Sequence, residues 1–339
     1  MTLASRLDAP TVAGLTLRVN DRGTAPAAEM AVIANAVNAF DGLDDHVATA
    51  ELENWLGYVS TGFDPARDVV LAEVDGTLVG YGWVEWVDTT EGFREFRLGG
   101  YVHPDWQGRG IGRHLLAWQE RHAATHPAVT TERPMSTGTW LGEARERKRH
   151  LFERAGYETS RFFFDMLRPT LDEVTLPPMP EGLEVRPIGS DRESRRLMWD
   201  ADVEAFTGDH WGGFDGSDGA FERSLADTDQ DPSLWVVGWD GDQIAGAVIN
   251  TIYAHENEAF DRRRGWLDGV FVRRPWRRRG LASALVARAL VRLREAGMEE
   301  AMLGVDSENP SGALGLYERA GFEVHRRSRA YRRLMETNR

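Results

Sequence analysis

The sequence predicts an α/β protein made of two tandem copies of one domain, each a mixed sheet flanked by helices. Three observations point to it. A glycine-bearing turn occurs twice, as "QGRGIG" at 107–112 and "RRRGLA" at 277–282, each time after a short apolar run and before a helix-like run. Other segments repeat in the same order: "EVDGTLVGYGWV" at 73–84 matches "GWDGDQIAGAVI" at 238–249, and "HLFERAGYE" at 150–158 matches "GLYERAGFE" at 315–323, both at an offset of 165. Each copy also carries an Asp-Gly pair between apolar runs, Asp75-Gly76 and Asp240-Gly241, which is the strongest short hairpin signal. A period this long describes whole domains rather than the units of a solenoid.

Taken in order, each copy opens with a strand, "LTLRV" at 15–19 and "LEVRP" at 183–187. Helical stretches follow at 27–39 and 191–206, then the Asp-Gly hairpin. The next strand, "FRLGGYV" at 96–102 or "WLDGVFV" at 266–272, runs into the glycine turn. The helix after the turn is "GRHLLAWQERHA" in the first copy and "ASALVARALVRLREAG" in the second, the latter capped by Gly297. In the second copy a strand ("AMLGVD"), a helix ("SGALGLYERAG") and a last strand complete the unit. "RPTLDEVTLPPMPEG" at 168–182 carries four prolines and no helical period, as a linker would. The expected division is a first domain over 1–170, a linker over 171–182 and a second domain over 183–339.

Composition narrows the function classes. The chain of 339 residues has no cysteine, which excludes disulfides, a thiol nucleophile and thiolate metal ligands. No metal centre is expected either, because no His-x-x-x-His pair with an evident carboxylate partner stands out among the nine histidines. The net charge of −14 divides evenly: 17 basic and 24 acidic residues up to position 170, and 23 and 30 after it, give −7 in each half. A balanced acidic surface argues against nucleic acid or an anionic membrane as partner and is compatible with a cationic substrate. No secretory leader and no span of about 18 apolar residues is seen, so a cytoplasmic protein is expected. One lysine, Lys148, stands beside 39 arginines.

The repeated turn carries the chemistry. A strand, a glycine turn and a helix N-terminus present unpaired backbone N–H groups and the positive end of the helix dipole, which together suit a phosphate. Glycine lets the anion approach the backbone closely, and Arg277, Arg278 and Arg279 add charge in the second copy. No Gly-Lys-Ser/Thr is present, and the turn comes too late in each copy for a dinucleotide fingerprint.

"VRRPWRRRGLA" at 272–282 followed by "VDSENPSGALGLYERAGF" at 305–322 resembles the GNAT acetyltransferase superfamily. The likeness runs through nearly all of both halves, most clearly at 266–324. With "DHWG" at 209–212, the chain is similar to the tandem members related to mycothiol synthase. The resemblance implies a mostly antiparallel sheet in each domain and acetyl-CoA as co-substrate. It further implies Arg277, Arg278, Arg279, Gly280, Leu281 and Ala282 as one pyrophosphate cradle, and Gln107, Gly108, Arg109, Gly110, Ile111 and Gly112 as the other. Val270, Phe271 and Val272, and Tyr101 and Val102, would lie along the pantetheine arm, with Asn309 touching the cofactor.

The same resemblance places Tyr317 as the acid that returns a proton to the leaving thiolate, and Asp268 as a base or water-ordering carboxylate. His210 and Trp211, and His255 and Glu256, fall in loops that would face the acceptor. The first half departs from this pattern: Phe152 stands at the position of Tyr317, and "STGTWLGEARERKRH" replaces the segment that holds Asn309. The expected function is therefore transfer of an acetyl group from acetyl-CoA to a primary amine of a small molecule, carried out by the second half. Acetylation of a protein or peptide N-terminus, and a CoA-binding regulatory protein without turnover, are the alternatives.

Overall fold

The computed structural model describes residues 12–207, 211–213, 215–309 and 312–335. The chain resolves into two compact units. One comprises the first half up to Arg161 with Ser217–Arg223 and the chain from Ser328 onward; the other comprises Phe162–Gly216 and Ser224–Arg327. In sequence the duplication divides the chain into 1–170 and 183–339. In space the larger part of the last strand of each half, from Phe162 in the first and from Ser328 in the second, counts with the other unit, an exchange that sequence periodicity does not express because strand pairing is non-local.

The first unit follows the predicted order. β1 (Leu15–Val19) pairs antiparallel with β2 (Val69–Val74), which forms the Asp75-Gly76 hairpin with β3 (Thr77–Asp88), and β3 pairs antiparallel with β4 (Arg94–Val102). β4 lies parallel to β5 (Met135–Gly142), and the far edge of β5 takes Ser328–Leu334 of the last strand, antiparallel. Asp75 and Gly76 both have positive φ, 48° and 82°, as the hairpin turn requires. Helices α1 (Ala27–Phe40), α2 (Thr49–Gly57) and α4 (Ile111–Thr125) supply apolar faces: Met30, Ile33 and Leu56 pack with Phe63, Leu71 and Tyr81, and Leu116 with Val84, Phe96 and Leu98.

The second unit repeats the plan. β7 (Glu184–Val185), β8 (Val236–Asp240), β9 (Gln243–Thr251) and β10 (Arg264–Val272) pair antiparallel in turn. β10 is parallel to β11 (Glu300–Asp306), and β11 takes Phe163–Arg168, the end of β6 (Glu158–Arg168), antiparallel on its other side. α6 (Arg192–Phe206) covers one face through Met198, Ala201 and Ala205, and α9 (Leu281–Glu295) covers the other through Leu285, Leu290 and Leu293. Each such leucine contributes about 1.5–3 kcal/mol of burial. Gly265 permits this packing, because a Cβ there would stand 2.5 Å from Leu293 Cδ2. Among the described residues no helix is long and apolar enough to cross a membrane.

The exchanged strand has a measurable consequence. Met166 pairs with Leu303 and is fully buried in the core of the second unit. A fragment beginning at residue 183 loses Met166, and with it about 1.5–3 kcal/mol of burial, together with the antiparallel partner strand of β11. A fragment beginning at residue 162 keeps both. Thermal melts followed by circular dichroism are expected to show a higher, more cooperative transition for the longer fragment; equal melts would contradict the exchange.

Candidate active site

Each glycine turn has a backbone geometry that suits an anion. In the second unit a 3-10 turn over Arg274–Trp276 leads into it, and α9 begins on Gly280, whose φ of 87° and ψ of 0° are left-handed. Arg278 has φ of 64°, so two left-handed residues flank Arg279. This alternation turns successive N–H groups toward one side, as in backbone anion nests. No side chain caps α9, and a Cβ added to Gly280 would meet nothing within 4 Å. Open space thus lies over uncapped N–H donors, which fits a pyrophosphate. The first unit reproduces the form: Gly108 at φ 76°, Gly110 at φ 92° and ψ −8°, and no side-chain cap on α4.

The leading residue of each cradle does something the sequence did not disclose. Arg277 Nε donates to Val272 O at 2.8 Å and its Nη2 to Ala205 O at 3.1 Å. Gln107 Nε2 donates to Val102 O at 3.1 Å. Both residues latch the turn to the end of the preceding strand, so the Arg277 guanidinium is engaged with the backbone. Arg278 and Arg279 are the exposed cations of the second cradle, and Arg109, 4.8 Å above the Trp106 ring, that of the first.

Beside each cradle the sheet opens. β10 pairs with β11 only over Arg264–Trp266, so its stretch from Leu267 to Val272 parts from β11 before reaching the turn. On its other edge the register with β9 shifts between Leu267 and Gly269, and Asp268 is the residue left over in that bulge. A bulge bends its strand and re-aims a side chain. Asp268 is solvent-accessible, and its Oδ2 accepts a hydrogen bond of 2.9 Å from the Tyr253 hydroxyl. Crowding by protein raises its pKa above the ordinary carboxylate value; hydrogen bonds from Thr251 and Tyr253 oppose the rise, and Asp227 and Glu256 add to it.

Tyr317 lies on α10 (Ala313–Arg319), which follows β11. It is buried in the cluster that also holds Leu281 and Trp276, with Val270 and Val272 packed against it, so cradle, strand and tyrosine converge on one core. Burial raises its pKa above the ordinary phenol value, which keeps the hydroxyl protonated through neutral pH. Phe271 points to the opposite face, against Met198 and Ala201. Asn309 follows Asp306, and its carbonyl accepts the Gly312 N–H at 3.2 Å. Gly312, at φ 77°, is the N-cap of α10, so Asn309 does not cap that helix.

Two of the residues read as lying in acceptor loops, His255 and Glu256, lie instead on a short helix, Ala254–Ala259. His210 lies outside the described residues. Trp211 is partly buried, its ring 5.7 Å from Phe163. His255 packs edge-on to Tyr253 at 5.8 Å. Glu256, 9% exposed, is held by Arg262 at 2.9 Å, an ion pair that fixes the 254–262 segment. Tyr253, absent from the sequence reading, is the neighbour that orients Asp268; its place immediately ahead of "AHENEAF" was the available signal.

The first unit differs at each of these positions. Leu98 is buried at the place of Asp268, and the β3–β4 register runs without a bulge. Phe152 fills the place of Tyr317, edge-on to Tyr157 at 4.9 Å.

A polar cluster in the first unit corrects the reading of the histidines. His122 and His126 do form a His-x-x-x-His pair, and buried Asp68, 54 residues before His122, lies within 2.8 Å and 3.3 Å of their Nε2 atoms. The three groups could hold a metal ion in kind, and His126 Nε2 faces Asp68 without a well-formed hydrogen bond. His126 Nδ1 accepts the Ala128 N–H at 3.0 Å, which puts the ring proton on Nε2, facing Asp68. A metal-bound imidazole would instead donate from Nδ1. Arg67 already pairs with Asp68 at 2.8 Å. These donors hold the Asp68 carboxyl well below the usual range against the opposing effect of burial.

Two family profiles match the chain. The profile of the "Acetyltransferase (GNAT) family" covers residues 197–322, and that of an "Acetyltransferase (GNAT) domain" covers 65–159. Over 314 residues the chain is 30% identical to the mycothiol acetyltransferase of Geodermatophilus obscurus, with 91% of this chain and 95% of the relative aligned. The chain belongs to the GNAT acetyltransferase family. The mycothiol acetyltransferase of Thermobispora bispora is 28% identical over 91% of this chain and 96% of its own. Among solved structures, a GCN5-related N-acetyltransferase from Sphaerobacter thermophilus superposes with a TM-score of 0.67 at 27% identity, covering 95% of this chain and 96% of the other. A tandem GNAT protein from the clavulanic acid biosynthesis pathway shares the fold, with a TM-score of 0.66 at 14% identity over 96% of this chain and all of its own. This GNAT protein is accordingly an acyltransferase of tandem architecture, and GNAT acetyltransferases take acetyl-CoA as co-substrate.

Proposed function

We propose that the second unit transfers the acetyl group of acetyl-CoA directly to a primary amine of a small molecule, both substrates being bound together. The observation that carries this reading is Asp268. It sits in a strand bulge nine residues before the cradle, accessible to solvent, oriented by Tyr253 and with its pKa raised above the ordinary carboxylate value. Mycothiol acetyltransferases as full-length relatives support a small-molecule acceptor.

In this reading the 277–282 cradle holds the pyrophosphate through backbone N–H groups and the helix dipole, aided by Arg278 and Arg279. The edge of Val270–Val272 that β11 leaves unpaired takes the extended arm of the cofactor, which brings the thioester toward Asp268 and Tyr317. An alkylammonium cannot attack a carbonyl, so Asp268 accepts its proton. The freed amine forms the C–N bond as the C–S bond breaks, Tyr317 donates a proton to the departing sulfur, and the proton then shed by the acetylated nitrogen restores the Tyr317 hydroxyl. The absence of cysteine supports direct transfer, since the chain has no thiol to carry the acetyl group. The Asp227 carboxylate, whose charge acts on Asp268, favours a cationic acceptor.

Release of free CoA thiol with a panel of acceptors tests the substrate class. Small primary amines are expected to drive release, with kcat/KM well above that for peptides bearing free N-termini. A preference for the peptides would establish the protein N-acetyltransferase reading, and no release with any amine would favour a regulatory role.

A further inference from the structure

The first unit keeps its cradle but fills the space beside it. β4 pairs with β5 only over Arg94–Arg97, so the edge from Leu98 to Val102 is left without a strand, as in the second unit. Here the helix that follows β5, α5 (Glu146–Arg154), sends a side chain across. Lys148 Nζ donates to Gly100 O at 3.0 Å and lies 5.6 Å from the centre of the Tyr101 ring. Gly100 corresponds to Val270, on the stretch that would pair with the cofactor arm in the second unit. The turn ahead of α5 is pinned as well: Arg145 lies 5.2 Å over Tyr101 and bonds Asp41 Oδ2 at 2.9 Å and Asn38 Oδ1 at 2.6 Å. At the offset of 165 that aligns Phe152 with Tyr317, Lys148 aligns with Ala313, whose methyl group cannot reach across.

We propose that Lys148 is an internal occupant of the first unit's cofactor slot, so that the chain binds one acetyl-CoA, in the second unit. The backbone acceptor that an extended amide ligand would need is already taken by the Lys148 amine, which can donate to it in either protonation state. Burial and Arg145 push the Lys148 ammonium down to about 7, in keeping with an amine enclosed by protein. Leu98 and Phe152 agree with the assignment, since a slot that holds no thioester needs neither base nor acid. Lys148 is also the chain's only lysine, which makes its state readable on its own.

The inference rests on the second unit being the cofactor-binding one, and the test separates the two claims. Calorimetric titration of the full chain with acetyl-CoA is expected to give one equivalent, lost in Gly280→Asp and regained when Lys148→Ala is added to Gly280→Asp. Two equivalents, of which Gly280→Asp removes one, would overturn only the role of Lys148. One equivalent that survives Gly280→Asp would overturn both readings. A folded Lys148→Ala/Gly280→Asp protein that binds nothing would also defeat the claim that the lysine is what closes the slot. If that variant does not fold, selective 13C-lysine labelling of the unaltered chain gives a single side-chain spectrum. Acetyl-CoA is expected to leave it unmoved, whereas a shift, or acetylation of Lys148 found by mass spectrometry, would overturn the proposal.

Discussion

Replacing Tyr317 with Phe is expected to lower kcat by about 10²–10⁴-fold, the usual contribution of a positioned proton donor, while leaving acetyl-CoA affinity unchanged. The substitution isolates the hydroxyl. The Tyr317 ring is buried beside Phe322, 6.1 Å away and edge-on, and the first unit already holds a phenylalanine at the matching place, Phe152, in the same packing against Tyr157. The melting temperature should therefore stay close to that of the parent chain. Because burial raises the Tyr317 pKa, the acid remains protonated through neutral pH, and the rate should show no alkaline decline from this group in the ordinary phenol range. Full activity in Tyr317→Phe would show that another group protonates the thiolate.

Asp268→Asn is expected to cost a similar factor, about 10²–10⁴ in kcat/KM, and to abolish the acidic limb of the pH–rate profile. The direction follows from the environment. The folded-state pKa is raised, so the base loses its proton only above the ordinary carboxylate range, and the parent rate should climb with pH through that raised value. Stability carries the opposite sign. A carboxyl whose pKa is raised by folding binds its proton more tightly in the native state, so its contribution to stability is greatest at low pH and is lost as pH rises toward the folded pKa. Asparagine removes that burden and can still accept the Tyr253 hydroxyl, so Asp268→Asn should be at least as stable as the parent at neutral pH. A stable variant with an unchanged pH profile would remove Asp268 from the role of base.

The sequence carried the architecture where single residues dictate backbone geometry. Asp75-Gly76 forms its hairpin turn and Gly110 and Gly280 start their helices left-handed, as read; the second hairpin turns one residue later than read, at Gly241-Asp242, with Asp240 still paired to Gln243. It was silent where the partner lies far along the chain. Which strand pairs with β5 or β11 depends on contacts nearly 200 residues apart in the first case, Thr137 with Arg333, and the exchange of last strands follows from those contacts. Asp68 meets His122 across 54 residues, so the histidine pair showed no carboxylate partner. Charge alone marked Arg277 as part of the cradle; that its side chain also latches the turn to Val272 is a contact only the fold discloses. Lys148 was a lone lysine in a basic run until β4 was seen to lie beneath it.

The claim at the centre of this account is that one cradle serves chemistry and the other does not. Turnover and acetyl-CoA binding of two full-length variants, Gly280→Asp and Gly110→Asp, test it most directly, with Gly280→Asn and Gly110→Asn as controls. Both glycines hold left-handed φ, a conformation that Asn and Asp tolerate better than other side chains, so the Asn variants carry the bulk and strain without the negative charge. The account predicts that Gly280→Asp loses acetyl-CoA binding and turnover beyond any loss in Gly280→Asn, while Gly110→Asp keeps both. A folded Gly110→Asp protein without activity, beside an active Gly280→Asp protein, would contradict it.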